Sequence, residues 1–475
     1  MKRKILFVAS ECQPFAASGG LGDVIGSLPK ALAKKRGNDV RVILPLYGLI
    51  SEKYKSQMEY LGNLSVPLCW RNQYCGIFML KQDGVTFYFI DNEYYFRRSG
   101  LYGYLDEAER YAFFSHAALD ILPVIDFIPQ IIHCHDWQTA LVPVYLKTIY
   151  SKKDTYKHIR TVFTIHNMEY QGRYSLDLTN ELFGIPETYN SILEYEGDLN
   201  LMKGAIQCAD TITTVSPTYA GEIHGEDASK GLYHIIRENT YKVIGILNGI
   251  DEKSFDPATD MALYENFDVD TFEKKKLNKL ELEKEIGLPS GDRPIIAIIS
   301  RLVEHKGVDI VKGALEELLK RDLAIVVLGT GDYAYEEYFK TMQSYHPSKM
   351  KAIIQFNGTL ARKIYGSADM FLMPSKNEPC GLSQMMASEY GTVPIVRKTG
   401  GLADSITDSG DGKGMGFTFI EYTSEELIRT VDRALEAYEN KAKWEKIAKR
   451  AMKKNFSWDK SATAYLNAYK FLLEN

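Results

Sequence analysis

Two short strings in this chain place paired glycines and an aspartate at the same spacing. Ser18–Asp23 reads SGGLGD and Thr399–Asp404 reads TGGLAD, one near each end of the 475 residues. Glycines admit positive φ and let a backbone come close to a ligand. Backbone N–H groups at such a loop, above all where it opens a helix, attract phosphate. Gly19, Gly20 and Asp23 in the first string, and Thr399, Gly400 and Gly401 in the second, are therefore candidate contacts to an activated, phosphate-bearing substrate. Two such loops imply two nucleotide-fold lobes facing one cleft.

Charged residues at other strand exits add to this chemistry. Ser300-Arg301-Leu302 … Lys306-Gly307 follows directly on the apolar run Pro294–Ile299. Arg301 and Lys306, five residues apart at a strand end, can both reach a diphosphate. The plainer alternative is a solvated helix start. PSKNEPCGL, from Pro374 to Leu382, leaves a second apolar run and carries Glu378 next to Pro379. Such a carboxylate can grip sugar hydroxyls or oppose positive charge developing on a sugar carbon. It can equally be a helix N-terminal acid stabilised by the macrodipole. His133-Cys134-His135-Asp136-Trp137 and Thr164-Ile165-His166-Asn167 end two further runs. Alternation puts His133 and His135 on one face, where a metal pair can be imagined, but no third ligand is apparent. His166 beside Asn167 can hydrogen-bond a hydroxyl-rich substrate, although a lone strand-end histidine is more often structural. Asp268 and Asp270 form a DxD in a polar stretch, which reads as a solvated turn rather than a metal–diphosphate clamp.

These residues need strands and helices to hold them. Lys4–Ala9, Val40–Leu44, Ile131–His133 and Thr161–Ile165 read as buried parallel strands, and Val24–Lys35 as the first helix. Gly76–Leu80 and Val85–Ile90 read as an antiparallel hairpin at one edge, and the first half closes on Val243–Leu247. Asn248-Gly249-Ile250-Asp251 is a turn signal, and the lysine-rich stretch Thr259–Glu285 reads as a helix-bearing linker. The pattern then restarts with Pro294–Ile299, Ala324–Leu328, Ala352–Phe356, Met370–Met373 and Val393–Val396. Repeated βαβ units imply α/β lobes whose ligands bind at strand C-terminal ends. The expected division is residues 1–248, residues 249–457, and a terminal helix over 458–475 packing back on the first lobe.

Composition narrows the partners. Lys+Arg number 57 against 62 Asp+Glu, with no strongly basic tract, which argues against nucleic acid and anionic membranes. Met1–Lys4 followed by Ile5–Ala9 imitates a signal peptide. Five apolar residues fall short of a signal core of roughly 7–15, so a buried first strand is the better reading. No run approaches the roughly 20 apolar residues of a membrane span. The six cysteines, at 12, 69, 75, 134, 208 and 380, show no CxxC pair, so the chain reads as cytoplasmic, without a disulfide framework or structural zinc. No residue sets an oligomeric state.

Taken in order, S-x-x-x-P-F-A-A-S-G-G-L-G-D-V, HCHDW, TIHNMEYQG, TTVSPTYAGEI, GILNGID, SRLVEHKG, PSKNEPCGL and RKTGGLADS form a specific set. Together they resemble the glycogen and starch synthases of glycosyltransferase family 5, and the likeness runs from Lys4 to Phe456-Ser457-Trp458. The resemblance implies two Rossmann-like lobes of the GT-B type. It implies transfer of glucose from ADP-glucose to the non-reducing 4-OH of an α-1,4-glucan, with retention, without a metal and without a cofactor. Carried over residue by residue, Arg301 and Lys306 match the family's diphosphate-binding cations. Thr399, Gly400 and Gly401 match its second glycine loop, and Gly19, Gly20 and Asp23 its first. Glu378, with Cys380, Gly381 and Leu382 behind it, matches the motif carboxylate near the transferred glucose. His166 matches the histidine beside the sugar, and Asp136 and Asn248 match polar cleft residues. Phe356 stands where the family often has an aromatic platform for the base, with a core phenylalanine as the alternative.

The chain departs from the pattern in several places. Ala17-Ser18 replaces the usual Lys-Thr or Lys-Val before the first glycine loop, whereas Lys398 is in place before the second. Met386 stands where some related retaining transferases have a second Glu, so a two-carboxylate mechanism at that pair does not apply. His305 replaces a common Gln, and Gln138 a common His. A transferase using another sugar nucleotide or a small acceptor is the nearest alternative. A non-catalytic glucan-binding protein is a further one, motivated by Ala17 alone, and a phosphorolytic enzyme of similar architecture would need a cofactor lysine and a much longer chain.

Overall fold

Apolar runs too short for helices, spaced by amphipathic segments, become parallel strands with helices packed on both faces. The computed structural model describes residues 2–474, and its contacts divide the chain into Met1–Asn248 with Trp458–Asn475, and Gly249–Ser457. Among the described residues no helix is long and apolar enough to cross a membrane.

The first lobe is built on β1 (Arg3–Val8), β2 (Asn38–Pro45), β3 (Glu59–Leu68), β4 (Arg71–Gln82), β5 (Val85–Asp91), β6 (Ile131–His135) and β7 (Arg160–Ile165). A small sheet of β8 (Arg173–Tyr174), β9 (Glu194–Tyr195) and β10 (Asp198–Asn200) follows, and β11 (Thr211–Thr214) and β12 (Val243–Gly245) complete the main sheet. Its order is β12-β11-β7-β6-β1-β2-β5-β4-β3. β1 lies parallel between β2 and β6, so the winding reverses there, and the crevice at such a switch point is where α/β sheets bind ligands. The antiparallel edge has a third strand, β3, beyond the expected hairpin. β3 is mostly solvent-facing, and its apolar residues Leu64, Val66 and Leu68 alternate with Ser65 and Pro67 instead of forming an unbroken run. The first helix runs Gly20–Lys34 rather than from Val24, so SGGLGD is the helix start, with Asp23 in its first turn. The last helix, Trp458–Glu474, packs on it, and its Tyr469 hydroxyl lies 2.6 Å from Nδ1 of His133.

The second lobe contains β13 (Ile295–Ile299), β14 (Ala324–Leu328), β15 (Met350–Ile353), β16 (Met370–Met373), β17 (Val393–Arg397) and β18 (Phe417–Phe419). They form an all-parallel sheet in the order β15-β14-β13-β16-β17-β18, the dinucleotide-fold arrangement with its switch point between β13 and β16. Leu315, Ile325, Val327, Leu372 and Ile395 belong to a core that covers this sheet.

The stretch read as a linker is a docked part of this lobe. Its helix, Lys275–Ile286, packs on the helix Gly358–Ser367. Lys275 is buried and donates to the carbonyls of Tyr365 and Tyr390 and to Oγ1 of Thr392, at 2.8–2.9 Å. Lysine richness misled here because a lysine can bury its stem and satisfy its head on carbonyls. Asp268 accepts from the N–H groups of Asp270 and Thr271 in an exposed turn, so the DxD is a local cap.

Burial lowers the Lys275 pKa to about 7, against 10.5 for a free lysine. The unfolded chain then binds more protons than the folded one between these values, so this group's contribution to stability rises as pH climbs from about 7 to 10.5. Lys275→Met should lower the unfolding free energy at pH 8 by about 1–3 kcal/mol through the orphaned carbonyls and remove that rise. Urea melts of both proteins across this pH range check it.

Candidate active site

In the second lobe, the loops leaving β13 and β16 meet at the switch point. Lys306 Nζ lies 2.6 Å from Glu378 Oε2, which also accepts from Ser375 Oγ at 3.0 Å. The Lys376 N–H donates to the His305 carbonyl at 3.0 Å, tying the two loops by their backbones. Gly307, at φ 81°, allows this approach, because a Cβ there would overlap the Pro374 carbonyl. Glu378 is buried, Lys306 half-buried and Arg301 exposed on the same loop as Lys306. An ammonium has three donors, and Lys306 gives one to Glu378.

The loop after β17 packs on this pair from behind. Gly400 sits at φ 43°, and side chains at Gly400 and Gly401 would overlap the carbonyls of Glu378 and Cys380. The Gly401 N–H donates to the Glu378 carbonyl at 3.1 Å. The second glycine string therefore serves as the backing of the Glu378–Cys380 loop. Thr399 and Cys380 are buried beside it, and Gly381, at φ 70°, turns the chain toward Leu382 and the helix Ser383–Glu389. Phe356 lies beyond the end of β15 and is 94% exposed, which rules out the core alternative.

The first glycine string is wired differently. The buried carboxylate of Glu11, at the exit of β1, accepts from the Ser18 N–H at 2.5 Å, the Gly19 N–H at 3.2 Å, Ser18 Oγ at 2.8 Å and Tyr102 OH at 2.7 Å. The Ser18 and Gly19 N–H groups expected to meet phosphate thus already meet an internal anion. Gly19 and Gly20 are exposed, with nothing within 4 Å of where a Cβ would stand. Glu11 escaped the sequence reading; its one signal was a carboxylate just past an apolar strand.

Asp136 follows β6 with φ 55° and ψ −179°, a conformation that costs a non-glycine residue about 1–3 kcal/mol. Its Oδ1 accepts from the His166 N–H at 2.7 Å, which spans the exits of β6 and β7. Burial raises the Asp136 pKa to about 7, with Glu11 adding to the effect against the His166 and Asn167 N–H groups. Burial raises Asp23 to about 6, with Glu11 again contributing. His166 Nε2 lies 2.9 Å from Nδ1 of His135, and burial lowers His166 to about 3, so the ring is neutral.

His133 bonds to Tyr469 and, at 2.5 Å, to Thr164 Oγ1. The two histidines of HCHDW thus serve separate hydrogen-bond chains, and no group of metal-ligating side chains occurs among the described residues. Asn248 is buried just past β12, and its Oδ1 lacks a partner among the described residues. Beyond His166, a cavity of about 450 Å³ is lined by Trp137, Tyr170, Arg173 and Lys230 among others. In the first lobe the structure thus joins Asp136 to His166. In the second it joins Lys306, Glu378, Gly400 and Gly401.

The pattern described as "Starch synthase catalytic domain" matches residues 4–238, and "Glycosyl transferases group 1" matches residues 280–451. Glycogen synthase of Anoxybacillus flavithermus is 46% identical across 99% of this chain and 98% of its own. Glycogen synthase of Clostridium botulinum is 47% identical across 99% of each. The chain belongs to the glycogen and starch synthase family. The catalytic domain of starch synthase IV from Arabidopsis thaliana, solved with ADP and acarbose, superposes with a TM-score of 0.92 at 33% identity over 100% of both chains. The fold is thus two Rossmann-like lobes of the GT-B type that this family of glycosyltransferases uses.

Two outcomes follow for this glycogen synthase relative. Gly400→Ala should push the Glu378 loop away and lower turnover about 100-fold at temperatures where the protein stays folded, as expected for a displacement near 1 Å, and should also lower the melting temperature, because the new Cβ meets the Glu378 carbonyl at a positive φ. Steady-state kinetics beside a thermal melt tests this. Asp136 has a folded pKa above its ordinary 3.8, so its stabilising contribution is full below 3.8 and lost as pH rises through about 7. Asp136→Asn should flatten that decline, as read by unfolding free energies across the same range.

Proposed function

We propose that this chain elongates glycogen, transferring glucose from ADP-glucose to the non-reducing 4-OH of an α-1,4-glucan with retention of configuration. The observation that carries the reading is the contact of Lys306 with Glu378 at the switch point of an all-parallel, dinucleotide-type sheet. Departure of the diphosphate leaves negative charge on its oxygens. Lys306 and the exposed Arg301 are the cations assigned to absorb it, and the reaction then needs no divalent ion. Glu378, held by Lys306 and Ser375, is assigned to the transferred sugar, where its charge opposes the developing oxocarbenium or grips hydroxyls. Phe356 offers an exposed ring as a platform for the adenine. Thr399, Gly400 and Gly401 set the Glu378 loop, with Cys380, Gly381 and Leu382 behind it.

In the first lobe, neutral His166 is assigned to a sugar hydroxyl and Asp136 to holding the His166 backbone. Asn248, Asp23 and the open Gly19-Gly20 turn are assigned to the acceptor side. Six free cysteines, five of them buried, suit a reducing cytoplasm.

The test is incorporation of labelled glucose into glycogen from ADP-glucose and from UDP-glucose in parallel, in EDTA. Incorporation from ADP-glucose, lowered at least about 100-fold in Glu378→Ala, is the expected result. Transfer from UDP-glucose alone overturns the donor, and full activity in Glu378→Ala overturns the site.

A further inference from the structure

His133 and His135 of HCHDW share one face of β6, yet only His133 has a partner at both ring nitrogens, Tyr469 and Thr164. His135 is fully buried, and its ring makes one hydrogen bond, between its Nδ1 and Nε2 of His166 at 2.9 Å. Its Nε2 is buried with no partner among the described residues. The ring is also held in place. It stacks on Phe7 with centroids 5.6 Å apart and packs on His133 at 4.2 Å. Thr139 Oγ1 pins its backbone, accepting from the His135 N–H at 2.7 Å and donating to the His135 carbonyl at 2.9 Å.

Burial keeps His135 and His166 neutral, so each ring carries one proton, and one of the two lies in the shared bond. Two arrangements satisfy this count. If His166 donates through Nε2, the proton of His135 stands on its own Nε2, as an N–H in the core without an acceptor. If His135 donates through Nδ1, the core holds only a bare lone pair at Nε2. In the main chain of folded proteins an orphaned buried N–H is rarer than an under-used acceptor. The same preference selects the second arrangement. His166 then accepts at Nε2 and carries its proton on Nδ1, the nitrogen left for a ligand.

We propose that His135 is a positioning residue that sets the tautomer of His166, so that His166 meets the transferred sugar as an Nδ1–H donor to a hydroxyl oxygen. The proposal rests on the assignment of His166 to a sugar hydroxyl. A neutral imidazole has a donor at one nitrogen and an acceptor at the other, and the bond made at the first decides what the second presents. His135 touches no substrate in this arrangement. It acts through His166 alone and, being neutral, adds no charge to the site.

Long-range 1H–15N correlation spectra of enzyme labelled with 15N-histidine report which ring nitrogen carries each proton. The two rings are assigned by the signals lost in His135→Asn and in His166→Gln. At pH 8 wild type should show the proton on Nδ1 of both rings, and a proton on Nε2 of His166 overturns the proposal. Kinetics supply the second arm. His135→Leu should lower kcat for glucose transfer about tenfold, the value of one hydrogen bond. His135→Asn, whose amide can donate from the place of Nδ1, should restore most of it. In a His166→Ala background His135→Leu should lower kcat no further, as for a residue that acts only through its neighbour. An equal loss in both backgrounds overturns the proposal, because His135 then supports the fold and not the histidine. If wild type transfers glucose from neither ADP-glucose nor UDP-glucose, the functional reading fails by itself. The spectra then decide the tautomer alone, with Nδ1 protons sustaining it and an Nε2 proton on His166 overturning it.

Discussion

In the second lobe, three loop backbones touch with no side chain between them, and the meeting of Lys306 with Glu378 depends on this contact. Gly400 and Gly401 lie against the carbonyls of Glu378 and Cys380, and Gly307 lies against that of Pro374. The sheet order makes the contact available by setting β13, β16 and β17 side by side. Removing the Cβ atoms closes the remaining gap, which brings the ammonium of Lys306 onto the carboxylate of Glu378. A half-buried cation and a buried anion fixed by backbone packing need little reorganisation when charge develops nearby, and preorganisation of this kind dominates electrostatic catalysis.

The first lobe reaches order by other means. Glu11 holds its glycine turn through hydrogen bonds from the Ser18 and Gly19 backbones and the Tyr102 hydroxyl. Asp136 keeps a strained backbone because its carboxylate is committed to the N–H of His166. Burial keeps His135 and His166 neutral, so the two rings can share a hydrogen bond without charge repulsion. Two strings with nearly the same letters thus do unlike work. One backs a carboxylate loop, whereas the other is braced by a carboxylate.

Much of this was legible along the chain. Strands such as β1, β7, β14 and β16 announced themselves because a buried parallel strand is a short, unbroken apolar run, a property of neighbouring residues. The charged and glycine-rich exits were legible for the same reason, as each follows its run directly. The edge strand β3 was not, since its apolar residues alternate with Ser65 and Pro67 and form no unbroken run. The docked helix Lys275–Ile286 was not either, since its lysines look solvated until their carbonyl partners are known.

By itself the sequence determined the α/β class, the residues at each strand exit and the family they resemble. All of these are carried by local pattern and by motifs in order. Only the tertiary structure decided which exits meet. Lys306 and Glu378 are 72 residues apart, and their contact depends on two strands becoming neighbours. It also decided that Glu11 occupies the first glycine turn, that His133 belongs with Tyr469, and that Phe356 faces solvent. Long-range contacts and burial set these outcomes, and no local pattern of residues encodes what lies across a packed sheet.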